Sequence, residues 1–300
     1  EDVWDDSSID AVVVGVPNFL HLPMAVDAMR AGKDVLLEKP MAMNVAECDE
    51  LVGVAEETKR ILQIGFVHRF TSVGMAAKKI ADCGDLGEVF HARAHLLHRR
   101  GIPGLGGWFT TKAKSGGGCL IDVGVHVTDL LFYLLDQPKW TSISGKANSR
   151  FVVKMEHYIY ETMWAGPPQL DGTFDVEDSA FALITLESGA TIDLQVAWAG
   201  NFPKASIGKS QIGLFGDRGG MTFELFGPEI HLAAERNGFN ADASLALAAT
   251  DQMQLQMQDF AEAVARRKPQ RGATPDEGRR VQSVIDAIYE SSRNNAPVTG

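Results

Sequence analysis

The chain has 300 residues, 45% of them hydrophobic, and its 39 acidic and 28 basic residues give a net charge of -11. This length and composition predict a globular protein of one large domain or two ordinary ones. The negative charge argues against a surface that binds nucleic-acid phosphates or an anionic membrane. No apolar run approaches the ~18 residues of a membrane-spanning helix. We therefore expect no nucleic-acid partner and no membrane partner.

The first seventy residues alternate between short apolar strands and helices. Strands are predicted at IDAVVVGV (9–16), DVLLE (34–38) and ILQIGF (61–66). Helices are predicted between them, over 22–31 and from a cap at Asn44 to about residue 59. This alternation with short connections predicts a right-handed, doubly wound parallel sheet in residues 1–69.

A different pattern begins near residue 70. After a helix near 73–82, an alternating strand is predicted at EVFHARAHLLHR (88–99), and hairpins at 179–199 and 211–226. Further helices are predicted at about 119–135, 252–267 and 276–292. These features predict that residues 70–300 form an α+β domain with a large, open, mostly antiparallel sheet. The last helix is expected to pack back on the first domain.

Two charged residues, Glu38 and Lys39, follow the second predicted strand directly and precede Pro40. Ligands of open parallel sheets bind beyond the carboxyl ends of the strands. A partly desolvated lysine there can donate hydrogen bonds to a substrate hydroxyl and share in proton movement. Glu38 would compensate its charge or hold a ribose. A solvated pair of loop charges explains the same dipeptide equally well.

A second polar group interrupts the apolar helix predicted for GGGCLIDVGVHVTDLLFYLL (116–135). One helical turn would place Asp122 and His126 on the same face, with Asp129 near the same stripe. His126 could then act as a general base that Asp122 orients. A core histidine with an aspartate cap is the alternative, and it is the commoner arrangement for a lone histidine. Asp122 and His126 supply only two metal ligands, so we predict no metal site.

The cysteines indicate the cellular compartment in which the protein functions. Cys48, Cys83 and Cys119 are odd in number and widely separated. They form neither a metal-binding pattern nor a disulfide framework, which suits a reducing compartment. We therefore predict a cytoplasmic location.

Several segments carry a family resemblance in their order and spacing: IDAVVVGVPNFLH (9–21), AMRAGKDVLLEKPMAMN (28–44), HRF (68–70), GGGCLIDVGVHVTDLL (116–131), and the later DRGGMTFEL and DEGRRVQSVIDAIYESSRNNAPV. They resemble the glucose-fructose oxidoreductase / inositol dehydrogenase / MocA (Gfo/Idh/MocA) family over nearly the whole chain. The resemblance implies a Rossmann domain that binds NAD or NADP, and a second domain whose open sheet builds the sugar site. It further implies an NAD(P)-dependent oxidoreductase for a sugar, cyclitol or glycoside, assembled as a homodimer or homotetramer.

The resemblance also assigns roles to single residues. The catalytic lysine, aspartate and histidine of the family fall on Lys39, Asp122 and His126. The positions that surround the cofactor fall on Pro17, Asn18, His21, Glu38, Lys39 and Pro40, with Arg69 and Trp108 also approaching it. The bond before Pro40 is expected to be cis. Substrate specificity is expected to come from the loops at 99–115 and 155–178.

The sequence departs from the family pattern at its start. The family opens with a strand and a Gly-x-Gly-x-x-Gly turn, and then a residue that selects NAD or NADP, and neither is present here. About sixty residues are therefore expected to precede this sequence in the parent protein. Two other activities stay open. One is a relative that uses NAD catalytically to cleave a glycoside by oxidation, elimination and reduction, and the other is a non-catalytic sugar or nucleotide sensor.

Overall fold

The computed structural model describes residues 2–151, 155–159, 163–203, 211–268 and 271–300. The helices are α1 (Asp2–Asp5), α2 (His21–Arg30), α3 (Val45–Thr58), α4 (Ser72–Asp82), α5 (Lys112–Ser115), α6 (Val125–Leu134), α7 (Gln252–Arg266) and α8 (Pro275–Asn294). The strands are β1 (Ala11–Val14), β2 (Asp34–Leu37), β3 (Leu62–Ile64), β4 (Val89–Leu97), β5 (Trp140–Asn148), β6 (Ser179–Leu186), β7 (Thr191–Ala197), β8 (Gln211–Gly216), β9 (Gly219–Glu224), β10 (Glu229–Arg236), β11 (Phe239–Ala246) and β12 (Val298–Thr299).

The first sheet is parallel, with the order β1-β2-β3, as the sequence predicts. All four residues of β2 are buried, which explains why its sequence is continuously apolar after Asp34. Helices α2 and α3 connect the strands. The α3 helix begins at the predicted cap, where the Asn44 side chain accepts a hydrogen bond from the amide of Glu47 at 3.0 Å. The carboxyl ends of all three strands therefore meet at one edge of the sheet.

The second sheet has nine strands in the order β11-β10-β9-β8-β4-β7-β6-β5-β12. Its described neighbours pair antiparallel except β4 and β7, which are parallel. On the central strand β4, Ala92, Ala94 and Leu96 face the core, while His91 and His95 lie on the open face. The predicted hairpins β6–β7 and β8–β9 are present, which confirms the mostly antiparallel second sheet. Strand β5 and the β10–β11 hairpin were not predicted.

Helix α6 lies between the central strand β4 and helix α8. The apolar segment Lys112–Leu134, which ends with α6, is long enough to cross a membrane, but 83% of its most apolar window is buried inside the protein. It is therefore a core helix.

Helix α8 packs on β5 of the large sheet and also on α3 and β3 of the first sheet. A further link between the two regions is the hydrogen bond from the amide of Ile64 to the carbonyl of Ala273 at 2.9 Å. The division into domains at residues 69 and 70 stays a prediction.

Candidate active site

Lys39 lies just beyond the carboxyl end of β2, at the edge where the three parallel strands end. The Lys39–Pro40 bond is cis, as expected. The Lys39 ammonium donates to the Asp122 carboxylate at 2.7 Å and to the Asp122 backbone oxygen at 3.0 Å. The Lys39 side chain is only 19% exposed. Its ion-pair partner is thus Asp122 in another part of the fold, whereas Glu38 only accepts from the Lys39 backbone amide at 3.2 Å.

Asp122 lies in a single π-helical turn, Leu120–Gly124, that leads into α6. The expectation of an α-helix through this stretch is therefore wrong over these five residues. Such turns are rare inside helices and recur at functional sites, because the extra residue changes the direction of carbonyls and side chains. In this turn both the carbonyl and the carboxylate of Asp122 point to Lys39.

Trp198 holds the other oxygen of the same carboxylate. Its indole N–H donates to Oδ2 of Asp122 at 2.8 Å. Trp198 directly follows β7 and is completely buried. Both oxygens of Asp122 are therefore engaged, and the sequence contained no signal for this contact because Trp198 ends an ordinary apolar strand.

His126 lies near the start of α6, and its buried Nδ1 has no hydrogen-bond partner among the residues that the structure describes. Among the described residues, the hydrogen bonds of the Asp122 carboxylate go to Lys39 and Trp198 and none joins it to this ring, so the orientation of His126 by Asp122 stays a prediction. Burial lowers the pKa of His126 well below its usual value, and the charge of Lys39 and then His68 lower it further. The ring is therefore neutral near pH ~7, which is the form that a general base requires.

Glu38 borders the ends of β1 and β3. A Cβ added at Gly65 would lie 3.2 Å from Glu38, and one at Gly15 would lie 3.7 Å from it. Burial raises the pKa of Glu38. Pro17 starts the short 3₁₀ turn Asn18–Leu20 on the same edge. The strand ends thus offer close backbone approach and a half-buried carboxylate, which are features of a nucleotide site.

Three of the residues predicted to contact the cofactor have polar side-chain groups that instead form hydrogen bonds with other residues of the protein. The Asn18 amide donates to the carbonyl of Ser115 at 2.7 Å. The completely buried His21 has Nδ1 2.7 Å from the carbonyl of Pro40 and Nε2 2.9 Å from that of Val16, and a neutral ring can donate to only one of them.

Arg69 is the third, and it is also buried. Its guanidinium forms a two-bond pair with Asp129, at 2.5 and 2.9 Å, and a third bond with Glu277 at 3.0 Å. These contacts position the loops and helices around the site. A direct contact of Asn18, His21 or Arg69 with the cofactor stays a prediction.

Trp108 belongs to an aromatic cluster in the 99–115 loop. Its ring stacks on Phe109 with centroids 3.8 Å apart, and Phe109 meets the edge of Trp164 at 5.2 Å. Trp164 comes from the second loop expected to determine specificity, 155–178, of which residues 160–162 lie outside the described residues. The two loops thus meet through aromatic rings. The cofactor contact of Trp108 stays a prediction.

Sequence reasoning missed other residues near the site. His68 contacts His126, and burial lowers the pKa of His98, an effect that the nearby Asp122 carboxylate opposes. Glu177 accepts hydrogen bonds from the amides of Gly118 and Leu120 at the start of the Asp122 turn. Within the described ranges, no three His, Cys, Asp or Glu side chains are arranged to hold a metal ion.

Two parts of the chain match models of known protein families. Residues 1–66 match a family described as an oxidoreductase family with an NAD-binding Rossmann fold, GFO_IDH_MocA. Residues 75–222 match the GFO/IDH/MocA C-terminal domain. The two matches belong to one family and cover most of the chain.

Curated relatives agree with these matches. D-glucoside 3-dehydrogenase of Escherichia coli (strain K12) is 29% identical over 303 residues, which span 99% of this chain and 83% of the relative. The scyllo-inositol 2-dehydrogenase (NAD(+)) of Bacillus subtilis (strain 168) is 29% identical over 196 residues, which span 65% of this chain and 51% of the relative. The chain spans about half the length of several of the curated relatives it matches.

Solved structures share the whole fold. Aldose-aldose oxidoreductase from Caulobacter crescentus, crystallised with glycerol, has a TM-score of 0.80 at 25% identity and covers 100% of this chain and 82% of its own. Levoglucosan dehydrogenase in complex with NADH and levoglucosan has a TM-score of 0.83 at 20% identity and covers 99% of this chain and 82% of its own. This second similarity is one of fold alone.

Proposed function

Because the chain belongs to the GFO/IDH/MocA family of NAD-binding oxidoreductases, we propose that it interconverts a hydroxyl and a carbonyl on a sugar, cyclitol or glycoside with NAD or NADP. The observation that carries this proposal is the meeting of three groups: the Lys39–Asp122 ion pair, and the neutral ring of His126, which senses the charge of Lys39 and whose buried Nδ1 has no hydrogen-bond partner among the described residues. The names of the glucoside and inositol dehydrogenases support the substrate class.

The residues at the strand ends fit a nicotinamide cofactor. The glycines beside Glu38 permit close backbone approach, and no described residue forms a hydrogen bond with the buried Nδ1 of His126. Pro17, Glu38, Lys39 and Pro40 would border the bound cofactor, with Trp108 approaching from the 99–115 loop. When bound, the nicotinamide supplies the hydride acceptor or donor.

The chain's own residues would handle the proton and the alignment. In the oxidation direction, His126 accepts the proton of the substrate hydroxyl on a ring nitrogen. Lys39 donates a hydrogen bond to the same oxygen and thereby lowers the pKa of the hydroxyl. Asp122 holds Lys39 in place and compensates its charge, with Trp198 fixing the carboxylate.

A panel of sugars, cyclitols and glycosides with NAD and with NADP tests this proposal in the full-length protein. We expect reduction of the cofactor together with an equal amount of ketone product from at least one compound. Cleavage of a glycosidic bond without net NADH would instead support the oxidation–elimination–reduction reaction. Binding of a sugar or nucleotide without turnover of any compound would contradict both and support the sensor.

We further propose a cytoplasmic homodimer or homotetramer that associates through the open face of the large sheet. Leu183 on β6 is half exposed on this face, and Phe215 on β8 stacks with His91 of β4 there. Light scattering on the full-length protein measures its mass. A monomer at all concentrations would contradict the assembly.

A further inference from the structure

His68 lies at the same sheet edge as Lys39 but has no role in the mechanism above. It belongs to the 3₁₀ turn Val67–Phe70, which is separated from the end of β3 by two residues. Its side chain is almost completely buried, and within the described part of the chain its Nδ1 has no hydrogen-bond partner. A buried imidazole with an unsatisfied nitrogen is costly, so it needs an explanation.

The backbone of His68 is fixed from the C-terminal side. The Thr71 hydroxyl donates to the His68 carbonyl at 2.9 Å and accepts from the amide of Gly74 at 3.0 Å. Helix α4 approaches this carbonyl so closely that a Cβ at Gly74 would lie 2.2 Å from it. The neighbouring Arg69 is anchored to Asp129. The His68 ring is therefore held where it is by the fold.

The ring touches two others. The His126 ring meets it edge to face, with the centroids 4.7 Å apart and the planes at 63°. The Phe226 ring does the same, with the centroids 5.1 Å apart and the planes at 72°. Phe226 is 72% exposed, whereas the Nδ1 atom of His126 is buried. His68 thus contacts both the candidate base and a residue at the surface of the protein.

The surroundings of the His68 and His126 rings favour the neutral form of both. Burial and the ammonium of Lys39 lower the pKa of His68 to about 4, and the same two causes lower the pKa of His126. The Asp122 carboxylate, which could oppose them, is bonded to Lys39 and Trp198.

We propose that His68 is a positioning residue for the base: its ring fixes the orientation of the His126 ring, and the two imidazoles form a coupled pair in which a positive charge on one ring opposes protonation of the other. The role of His126 as base rests on the proposed function. The coupling of the two rings does not. A positive charge on one ring disfavours protonation of the other ring, because both rings lie in the same desolvated space.

The coupling is tested by NMR titration of the imidazole C–H signals in the protein without substrate. In His68→Phe, which keeps an aromatic ring, His126 should titrate at higher pH than in the wild type, by about one unit. The matched control is His231→Phe on β10, where an exposed histidine is replaced and His126 should be unaffected. An unchanged titration of His126 in His68→Phe would overturn the coupling.

The positioning role is tested by kinetics on a compound that the wild type turns over. His68→Ala removes the ring contact and should lower kcat by about 10-fold, with little change in KM. His68→Phe should recover most of kcat near neutral pH, while the acid limb of its kcat/KM profile moves to higher pH. Wild-type kcat in His68→Ala, or equal losses in both variants, would overturn the positioning role.

The two failures can be told apart. Absence of turnover by the wild type on every compound counts against the proposed function and thereby against the role of His68 in positioning a base. The titration of His68 and His126 still supports or refutes the coupled pair, because it needs neither substrate nor cofactor.

Discussion

Asp122 connects the two regions of the candidate site through its contacts with Lys39 and Trp198. Lys39 comes from the end of the parallel sheet, and Trp198 from the end of a strand in the large sheet. A carboxylate held at both oxygens has little freedom to rotate, so the ammonium of Lys39 is held as well. The alignment of the lysine therefore depends on a tryptophan that touches no substrate in the proposed reaction.

Trp198→Phe tests this dependence. It removes the indole donor and leaves one buried oxygen of Asp122 without a partner, which should lower the free energy of unfolding by about 1–3 kcal/mol. The value of kcat should fall by about 10-fold, because the carboxylate can rotate away from Lys39. Urea unfolding and steady-state kinetics measure the two effects.

The matched control is Trp140→Phe. The Trp140 indole donates to the hydroxyl of Ser283 at 3.2 Å, away from Lys39 and His126. This variant should lose stability but keep the wild-type kcat. Equal kcat values in the two tryptophan variants would contradict the role of Trp198.

The low pKa of the buried His68 side chain should make the stability of the protein depend on pH. Because its pKa falls from 6.5 in the unfolded chain to about 4 in the folded protein, only the unfolded chain binds a proton between these values. The folded state therefore loses about 3 kcal/mol of stability from this residue as the pH falls through that range. His68→Phe should remove this loss, so its unfolding free energy relative to the wild type should rise between about pH 7 and about pH 4. A difference that is the same at both pH values would contradict the buried neutral ring.

Single residues differ in how far the sequence could predict them. Lys39 stands out because a charge follows a buried strand, and His126 because it interrupts an apolar helix one turn after Asp122. Trp198 and His68 do not stand out, since each joins the site only through contacts with residues distant in sequence. Their place depends on the packing of the two sheets, which no local pattern encodes.

At the scale of elements, the start of the Asp122 turn is held by Glu177. This buried carboxylate accepts from the amides of Gly118 and Leu120 and from the hydroxyl of Tyr289 on α8 at 2.9 Å. A Cβ at Gly118 would lie 1.9 Å from the Glu177 carbonyl, so only glycine permits this approach. The glycine run before the turn is thus explained by packing.

Glu177→Gln should weaken the start of this turn. It replaces one acceptor oxygen with an amide NH₂ donor, although the neighbouring backbone amides and the Tyr289 hydroxyl are also donors. This mismatch should lower the free energy of unfolding by about 2 kcal/mol and reduce kcat. Tyr289→Phe removes only one donor and serves as the milder control. Thermal unfolding and kinetics compare the two variants, and a Gln variant no worse than the Phe variant would contradict this role of Glu177.

Strands β5 and β11 could not be predicted from the sequence because neither has a regular pattern of apolar residues. Strand β11 is almost entirely exposed, so its sequence FNADASLA shows no regular alternation of apolar residues. Strand β5, WTSISGKAN, is rich in small and polar residues because α8 packs closely over it: a Cβ at Gly145 would lie 2.9 Å from Ile288. Strands and helices with a regular buried face, by contrast, were predicted within a few residues of their bounds.

At the scale of the whole molecule, Arg69 joins three regions. It follows β3 of the first sheet and binds Asp129 on α6 and Glu277 at the start of α8. The parallel pairing of β4 with β7 and the packing of α8 on both sheets likewise appear only in the assembled fold. Fold class was predictable from local periodicity, but these long-range connections were not.

Arg69→Met should destabilise the protein by about 3–5 kcal/mol, because Asp129 is left buried without its partner. The double variant Arg69→Met with Asp129→Leu should recover much of this loss, since no completely buried charge is left unpaired: Glu277 is partly exposed and keeps the hydrogen bond from the Thr274 amide. Urea unfolding of these two variants and of Asp129→Leu alone measures the coupling between Arg69 and Asp129. A single variant as stable as the wild type would contradict the structural role of Arg69.

In the proposed reaction, Lys39 and His126 form the proton-handling part of a nicotinamide-dependent active site. The most direct test of this role is kcat of Lys39→Ala and His126→Ala in the full-length protein, on a sugar or cyclitol that the wild type oxidises, with NAD(P) binding measured in parallel. Each variant should lose roughly 10²-fold or more in turnover while still binding the cofactor. Near-normal turnover in both variants would contradict the assignment of Lys39 and His126 to proton handling.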